Sequence, residues 1–182
     1  DGIVEVSGAF NTNPQFGMDT SGDLEQSTAS GQAGVATRFK IDLAKGEVKV
    51  EKFDDLQGDF CRFRDDLNGV RSRFHYMGAF HEGFGTIGQF GTLVKYDDQT
   101  NERKTWFSGM NHHLGEAIFA PNPSGSAEDD GWMVVTDHDH VEGTSDVCVI
   151  DAQNIEAGPI ARVHMPRRLP FGFHTNWFPE EG

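Results

Sequence analysis

The chain has 182 residues, 15 basic and 29 acidic, for a net charge of −14. That length suffices for one domain with a sizeable core. The charge, with no basic stripe anywhere, excludes a nucleic-acid phosphate backbone as partner. The two cysteines, Cys61 and Cys148, stand far apart with no CxxC spacing, so they suggest neither a disulfide framework nor a zinc site. A reducing, cytoplasmic compartment is the resulting expectation. No apolar run approaches the roughly 18 residues that would cross a bilayer, and no leader pattern is visible. The opening Asp1-Gly2-Ile3-Val4-Glu5-Val6 reads as the interior of a strand, as expected of a piece of a longer protein.

Helical periodicity is almost absent and 22 glycines punctuate the chain. Residues 3–10 alternate loosely as a strand. Residues 11–34 are polar and rich in Gly, Ser and Thr, long for a loop in a compact domain. A first hairpin is expected from 36–41 and 47–53 around the turn at 42–46. In its second arm Val48, Val50 and Phe53 alternate with charged residues, as on a sheet with one wet face. A second hairpin is expected from 92–96 and 102–107, and a third from 132–137 and 145–150. The turn centres near 44, 99 and 143 recur about every 40–55 residues, the stride of β-propeller blades. The fold class is therefore all-β, a partial propeller of about three to four blades, with a β-sandwich as the alternative. Three to four blades do not close a ring.

Eight histidines offer metal-ligand chemistry. His138 and His140 would share one face of a strand, although the polar surround favours a solvated hairpin end. Of His112 and His113 at most one can aim where Glu116 aims. No HExxH, Gly-x-Ser-x-Gly or phosphate-cradling loop is present, so ordinary hydrolase and nucleotide readings lack support. His174 lies in the aromatic, proline-bracketed run 170–179. That run should be buried, and its lone His needs a hydrogen-bond partner or a metal.

The segment Gly115-Glu116-Ala117-Ile118-Phe119-Ala120-Pro121-Asn122-Pro123 runs on to Ala127-Glu128-Asp129-Asp130-Gly131-Trp132. Then follow Asp151-Ala152, Ala161-Arg162-Val163-His164-Met165-Pro166 and Pro170-Phe171-Gly172-Phe173-His174. In that order, the set resembles the C-terminal part of the carotenoid cleavage oxygenase family, which includes carotenoid, apocarotenoid and stilbenoid dioxygenases. Asp59-Phe60-Cys61-Arg62-Phe63, with Gly69, Arg71, Arg73 and Tyr76, resembles the family's Glu-Phe-Pro-Arg segment. Asp1-Gly2 resembles the chain just beyond the third iron ligand. The resemblance covers nearly all of this chain, but only the last third to two fifths of a complete member.

The resemblance implies a seven-bladed β-propeller, with residues 1–182 forming the C-terminal portion of that single domain. It implies Fe(2+) on the axis, held by four histidines. His174 matches the last of these ligands, and the other three would lie upstream of Asp1. Glu116 matches a second-shell glutamate that accepts a hydrogen bond from a ligand imidazole, and Asp59 stands where another such glutamate is usual. The strides from Asp59 to Glu116 and from Glu116 to His174 are nearly equal, about one blade plus a strand, so all three could reach one centre. Asp59 is one methylene shorter than Glu, Cys61 replaces a proline, and Thr175 replaces a glycine beside the ligand. Weakened iron retention, rather than a change of reaction, is the expectation.

The implied reaction is cleavage of a conjugated carbon–carbon double bond by O2, giving two carbonyl products from a carotenoid, apocarotenoid or stilbenoid. The partners would be O2 and this apolar substrate, with peripheral membrane contact in the complete protein and no nucleic acid. Phe60, Phe63, Phe74, Phe80, Phe84 and Phe90 could line a tunnel for a rigid polyene, or simply fill cores. The competing classes are a metal-free binding scaffold and a calcium-dependent propeller hydrolase. Asp129, Asp130, Asp137 and Asp139 lie too near turns to favour the hydrolase.

Overall fold

The computed structural model describes residues 2–10, 34–81, 90–170 and 172–180. The polar excursion expected from residue 11 lies outside them except at Gly34, which opens a strand. Two antiparallel sheets hold the described strands. The first is a six-stranded meander of β1 (Ile3–Phe10), β2 (Gly34–Asp42), β3 (Glu47–Arg62), β4 (Phe74–Ala79), β5 (Thr92–Asp97) and β6 (Glu102–Phe107). The second runs β11 (Pro159–His164), β10 (Thr144–Asp151), β9 (Gly131–Asp139) and β7 (His112–Leu114). In that sheet β8 (Ile118–Pro121) also pairs with β9.

All three expected hairpins form: β2–β3, β5–β6 and β9–β10. They share one turn chemistry. An aspartate ends the first arm, and its carboxylate accepts backbone N–H groups of the turn: Asp42 from Ala44 and Lys45, Asp97 from Gln99, Asp139 from Val141 and Glu142. Four residues later the chain turns left-handed, at Gly46 (φ 69°), Asn101 (φ 57°) and Gly143 (φ 67°). Glycine and asparagine are the residues that tolerate this conformation best. The hairpins do not each found a sheet, because β3 is 16 residues long and carries on past its turn-proximal half to pair with β4.

One expectation fails at that turn-proximal half. Val48 and Val50 are 57% and 54% exposed, so the alternation there has no covered face among the described residues. The main core lies between the sheets, where Phe74, Tyr76, Leu93 and Trp106 meet Leu114, Phe119, Met133, Val135, Cys148, Ile150 and Ile155. A second cluster of Ala36, Met77, Ala79, Val94 and Tyr96 gives the first sheet an apolar opposite face. Polar groups join the layers too. Buried Lys95 reaches Asp129 Oδ2 (2.6 Å) and the Ala152 carbonyl (2.7 Å) across the interface. Glu128 Oε1 accepts the Arg73 and Phe74 N–H groups at 2.7 and 2.8 Å.

Two one-residue bulges place the site. In β3, Asp59 faces Gly78 but Arg62 faces Tyr76, so three steps oppose two, and Phe60 adopts φ 57°. Along β9, Leu114 faces Asp137 but Ile118 faces Val134, so four steps oppose three. The extra residue falls within Gly115-Glu116-Ala117, the break between β7 and β8. A side chain on Gly115 would meet the Thr136 hydroxyl, which would have to turn aside, so glycine suits the close approach of the broken strand.

Candidate metal centre

Glu116 projects from this break and is 3% exposed. A buried carboxylate must be compensated, and the C-terminal segment supplies much of the compensation. Thr175 donates its N–H to Glu116 Oε2 at 2.6 Å and its hydroxyl to the Glu116 carbonyl at 3.1 Å. His174 Nδ1 lies 3.5 Å from both carboxylate oxygens. A carboxylate can only accept, so a neutral ring making this contact would carry its proton on Nδ1 and keep a lone pair on the other nitrogen.

The run carrying His174 is not buried as its composition suggests. The His174 side chain is 76% exposed, and Phe173 and Phe178 are 71% and 82% exposed. Apolar residues become buried only where another layer covers them, and no described element lies over this run. Residues 172–180 form no strand. The segment is tied instead at Thr175 and at Leu169, whose N–H donates to Ser145 Oγ at 3.0 Å. Phe171 lies outside the described residues.

Asp59 turns its carboxylate back on its own chain, accepting the Phe60 N–H at 2.8 Å. The side chains that reach the Glu116–His174 pair from β3 are its neighbours. The Phe60 ring packs edge-on to the His174 imidazole at 6.0 Å, and Arg62 Nη1 lies 3.6 Å from Glu116 Oε1. The bulge allows this, because it sets Asp59 and Arg62 on the same face although they are three residues apart. An aromatic run continues from the imidazole, with Phe60 against buried Phe90 at 5.1 Å and Phe90 stacked on Phe80 at 5.0 Å. Phe74 belongs to the core between the sheets. Phe63 lines a small cavity with Cys61 and Tyr76, and Phe84 lies outside the described residues.

The remaining histidines have other work. His112 Nδ1 sits 2.9 Å from Asp137 Oδ1, and Arg162 bonds the other oxygen of that carboxylate at 2.8 Å. Asp137 is thus a buried strand residue rather than part of a turn. His113 is buried, its ring 4.7 Å from that of His140. The solvated hairpin end fits His140, which is exposed, but not His138, which is 3% exposed in β9 with Nδ1 2.9 Å from Ser145 Oγ. Burial, reinforced by Arg168, pushes the His138 pKa down; burial and neighbouring His140 do the same for His113. Both therefore stay neutral. Burial pushes both thiols up to about 12, so Cys61 and Cys148 are inert.

Among the described residues no three His, Cys, Asp or Glu side chains converge as a metal site. His174 instead offers one imidazole, oriented by a buried carboxylate as metal-binding histidines commonly are. The residues present therefore fit the role of one ligand and its outer partner. Sequence reasoning assigned no role to Arg62. Its signal was present in the Asp-Phe-Cys-Arg stretch, but the bulge that turns it toward Glu116 was not.

Fold and site together define an all-β scaffold that presents a carboxylate-braced imidazole beside a run of aromatic rings. Residues 3–179 match the family model described as retinal pigment epithelial membrane protein, RPE65, and the chain belongs to that family. It is 37% identical over 145 residues to a carotenoid cleavage oxygenase of Mycobacterium tuberculosis, covering 78% of this chain and 28% of the relative. It is 29% identical over 176 residues to an apocarotenoid-15,15'-oxygenase of Synechocystis, covering 96% and 35%. A cobalt-substituted structure of the Synechocystis apocarotenoid oxygenase superposes with TM-score 0.88 at 27% identity, covering 99% of this chain and 37% of that one. The chain thus spans about a third of the length of these relatives. The family resemblance read from the ordered motifs is borne out. No helix among the described residues is long and apolar enough to cross a membrane.

Proposed function

We propose that the complete protein is a non-heme Fe(II) dioxygenase that cleaves a conjugated C=C bond of a carotenoid, apocarotenoid or stilbenoid, giving two carbonyl products. Residues 1–182 would form the C-terminal part of its seven-bladed propeller. The observation that carries this reading is the Glu116–His174 pair. His174 would be one of four imidazole ligands, and Glu116 its outer partner. Asp59 would stand where another carboxylate backs a ligand imidazole, although its carboxylate here accepts the Phe60 N–H. Bound Fe(II) would supply the centre at which O2 and the substrate double bond react. This chain's part is to fix the tautomer of His174, to hold its backbone through Thr175, and to flank the centre with the Phe60, Phe90 and Phe80 rings. Those rings suit an apolar conjugated substrate, which would be collected by peripheral contact with a membrane.

Iron analysis tests the reading. The complete protein should hold stoichiometric Fe(II), and His174→Ala should abolish iron binding and cleavage together. The 182-residue chain alone should bind no stoichiometric iron. Unchanged iron in His174→Ala removes His174 from the ligand set, and a metal-free active protein overturns the reading altogether.

A further inference from the structure

Arg62 is the cation that faces the buried Glu116 carboxylate, and the two are joined across the sheets. Its guanidinium spans two acids. Nη1 lies 3.6 Å from Glu116 Oε1, and Nη2 donates to Asp65 Oδ2 at 3.1 Å. Its side chain is 19% exposed, against 56% for Asp65. The third guanidinium nitrogen, Nε, is buried without a hydrogen-bond partner. A buried donor left unbonded is unfavourable, so the side chain is held where it is by the rest of its surroundings. These are the β3 bulge, the left-handed Phe60 and the two acids.

We propose that Arg62 is a positioning residue for His174, acting through Glu116. The Glu116 carboxylate has one short bond, from the Thr175 N–H to Oε2 at 2.6 Å, while the His174 contact is 3.5 Å to either oxygen and fixes neither. A carboxylate held at one oxygen can still rotate about its last torsion. The Arg62 guanidinium next to Oε1 supplies the second point, and two points set the plane of the carboxylate. That plane decides how Nδ1 of His174 is met, and hence where the imidazole lone pair is aimed. Asp65 acts as the outer anchor that keeps the guanidinium fork from swinging into solvent. The planar fork suits this better than a lysine point charge, since it reaches both acids at once.

The proposal rests on His174 being a metal ligand in the complete protein, and the test separates the two ideas. Co(II) affinity would be measured by chelator competition, and the d–d absorption of the Co(II) protein recorded, for wild type, His174→Ala, Arg62→Gln and Arg62→Lys. Thermal midpoints run in parallel. If His174→Ala keeps wild-type affinity, the metal assignment fails, and this inference with it. If His174→Ala loses Co(II), Arg62→Gln should weaken it about 10-fold and alter the absorption bands, with Arg62→Lys in between. Wild-type affinity and bands in both Arg62 variants would overturn the inference. Should Arg62→Gln not fold, Arg62→Lys decides alone: shifted bands support the role and unchanged bands refute it.

Discussion

At the scale of single residues, Glu116 does three jobs with one carboxylate and one carbonyl. It meets His174, receives the Thr175 backbone and faces Arg62. Replacing it with Gln keeps the shape but leaves one acceptor oxygen where Thr175 N–H and His174 Nδ1 now have two, and removes the negative charge. Glu116→Gln in the complete protein should therefore lower metal affinity about 10- to 100-fold, measured by chelator competition; an unchanged constant would make the Glu116–His174 contact incidental. Glu116 and His174 stand out in the sequence because each sits in a recognisable run of motifs, and the structure brings their side chains to 3.5 Å. The role of Asp59 followed from position alone, and position could not show its carboxylate bonded to its own backbone. Arg62 illustrates the same limit: a bulge changes which way a side chain faces, and no residue in Asp-Phe-Cys-Arg announces a left-handed Phe60.

At the scale of elements, the hairpins were legible because each closes on the same Asp-to-Gly or Asp-to-Asn stretch, a local chemistry that needs no tertiary context. Their grouping into sheets was not, because β3 outruns its hairpin. The continuation depends on Gly58, where β2 and β4 both pair with β3. A side chain there would overlap the Gly78 carbonyl and press on the Ala79 backbone. Backbone cannot rotate away as a side chain can, so Gly58→Ala should cost about 3 kcal/mol, read as a fall in the denaturant midpoint. A loss well below about 1 kcal/mol would show that the strand can slide to make room. Burial was the least legible property. Residues 170–179 and the tip of the first hairpin carry apolar residues that sequence alone assigns to an interior. In the described structure they face outward, because periodicity reports an apolar face but not what lies against it.

For the molecule as a whole, acid sensitivity has a definite sign. The Arg73 guanidinium grips Asp97 through two bonds, 2.6 and 2.8 Å, and holds its carboxyl well below the usual aspartate range, with the Gln99 N–H helping against burial. Asp98 is also lowered: burial pushes it up, but the bonds from His75 and Arg38 outweigh that. Because both folded values lie below the unfolded one, their contribution to stability is present above about pH 4 and is lost as pH falls further. Buried His113 and His138, whose pKa values are lowered, oppose protonation, so the thermal midpoint should begin to fall below about pH 6.5 and should fall a second time below about pH 4 as these carboxylates are protonated. Arg73→Gln should shrink that second fall; an identical pH profile would show that these carboxylates carry none of it.

The imidazole at 174 owes its place to no ladder. Ser145 Oγ and the Glu116 carboxylate hold the chain at residues 169 and 175, one on either side of it, one anchor on β10 and the other in the break between β7 and β8. The aim of the ring is thereby set by side-chain contacts rather than by strand pairing. A substitution at either anchor should redirect the ring while the strand pairing stays, and it carries a cost beneath: buried His138 loses Ser145, or Arg62 loses Glu116.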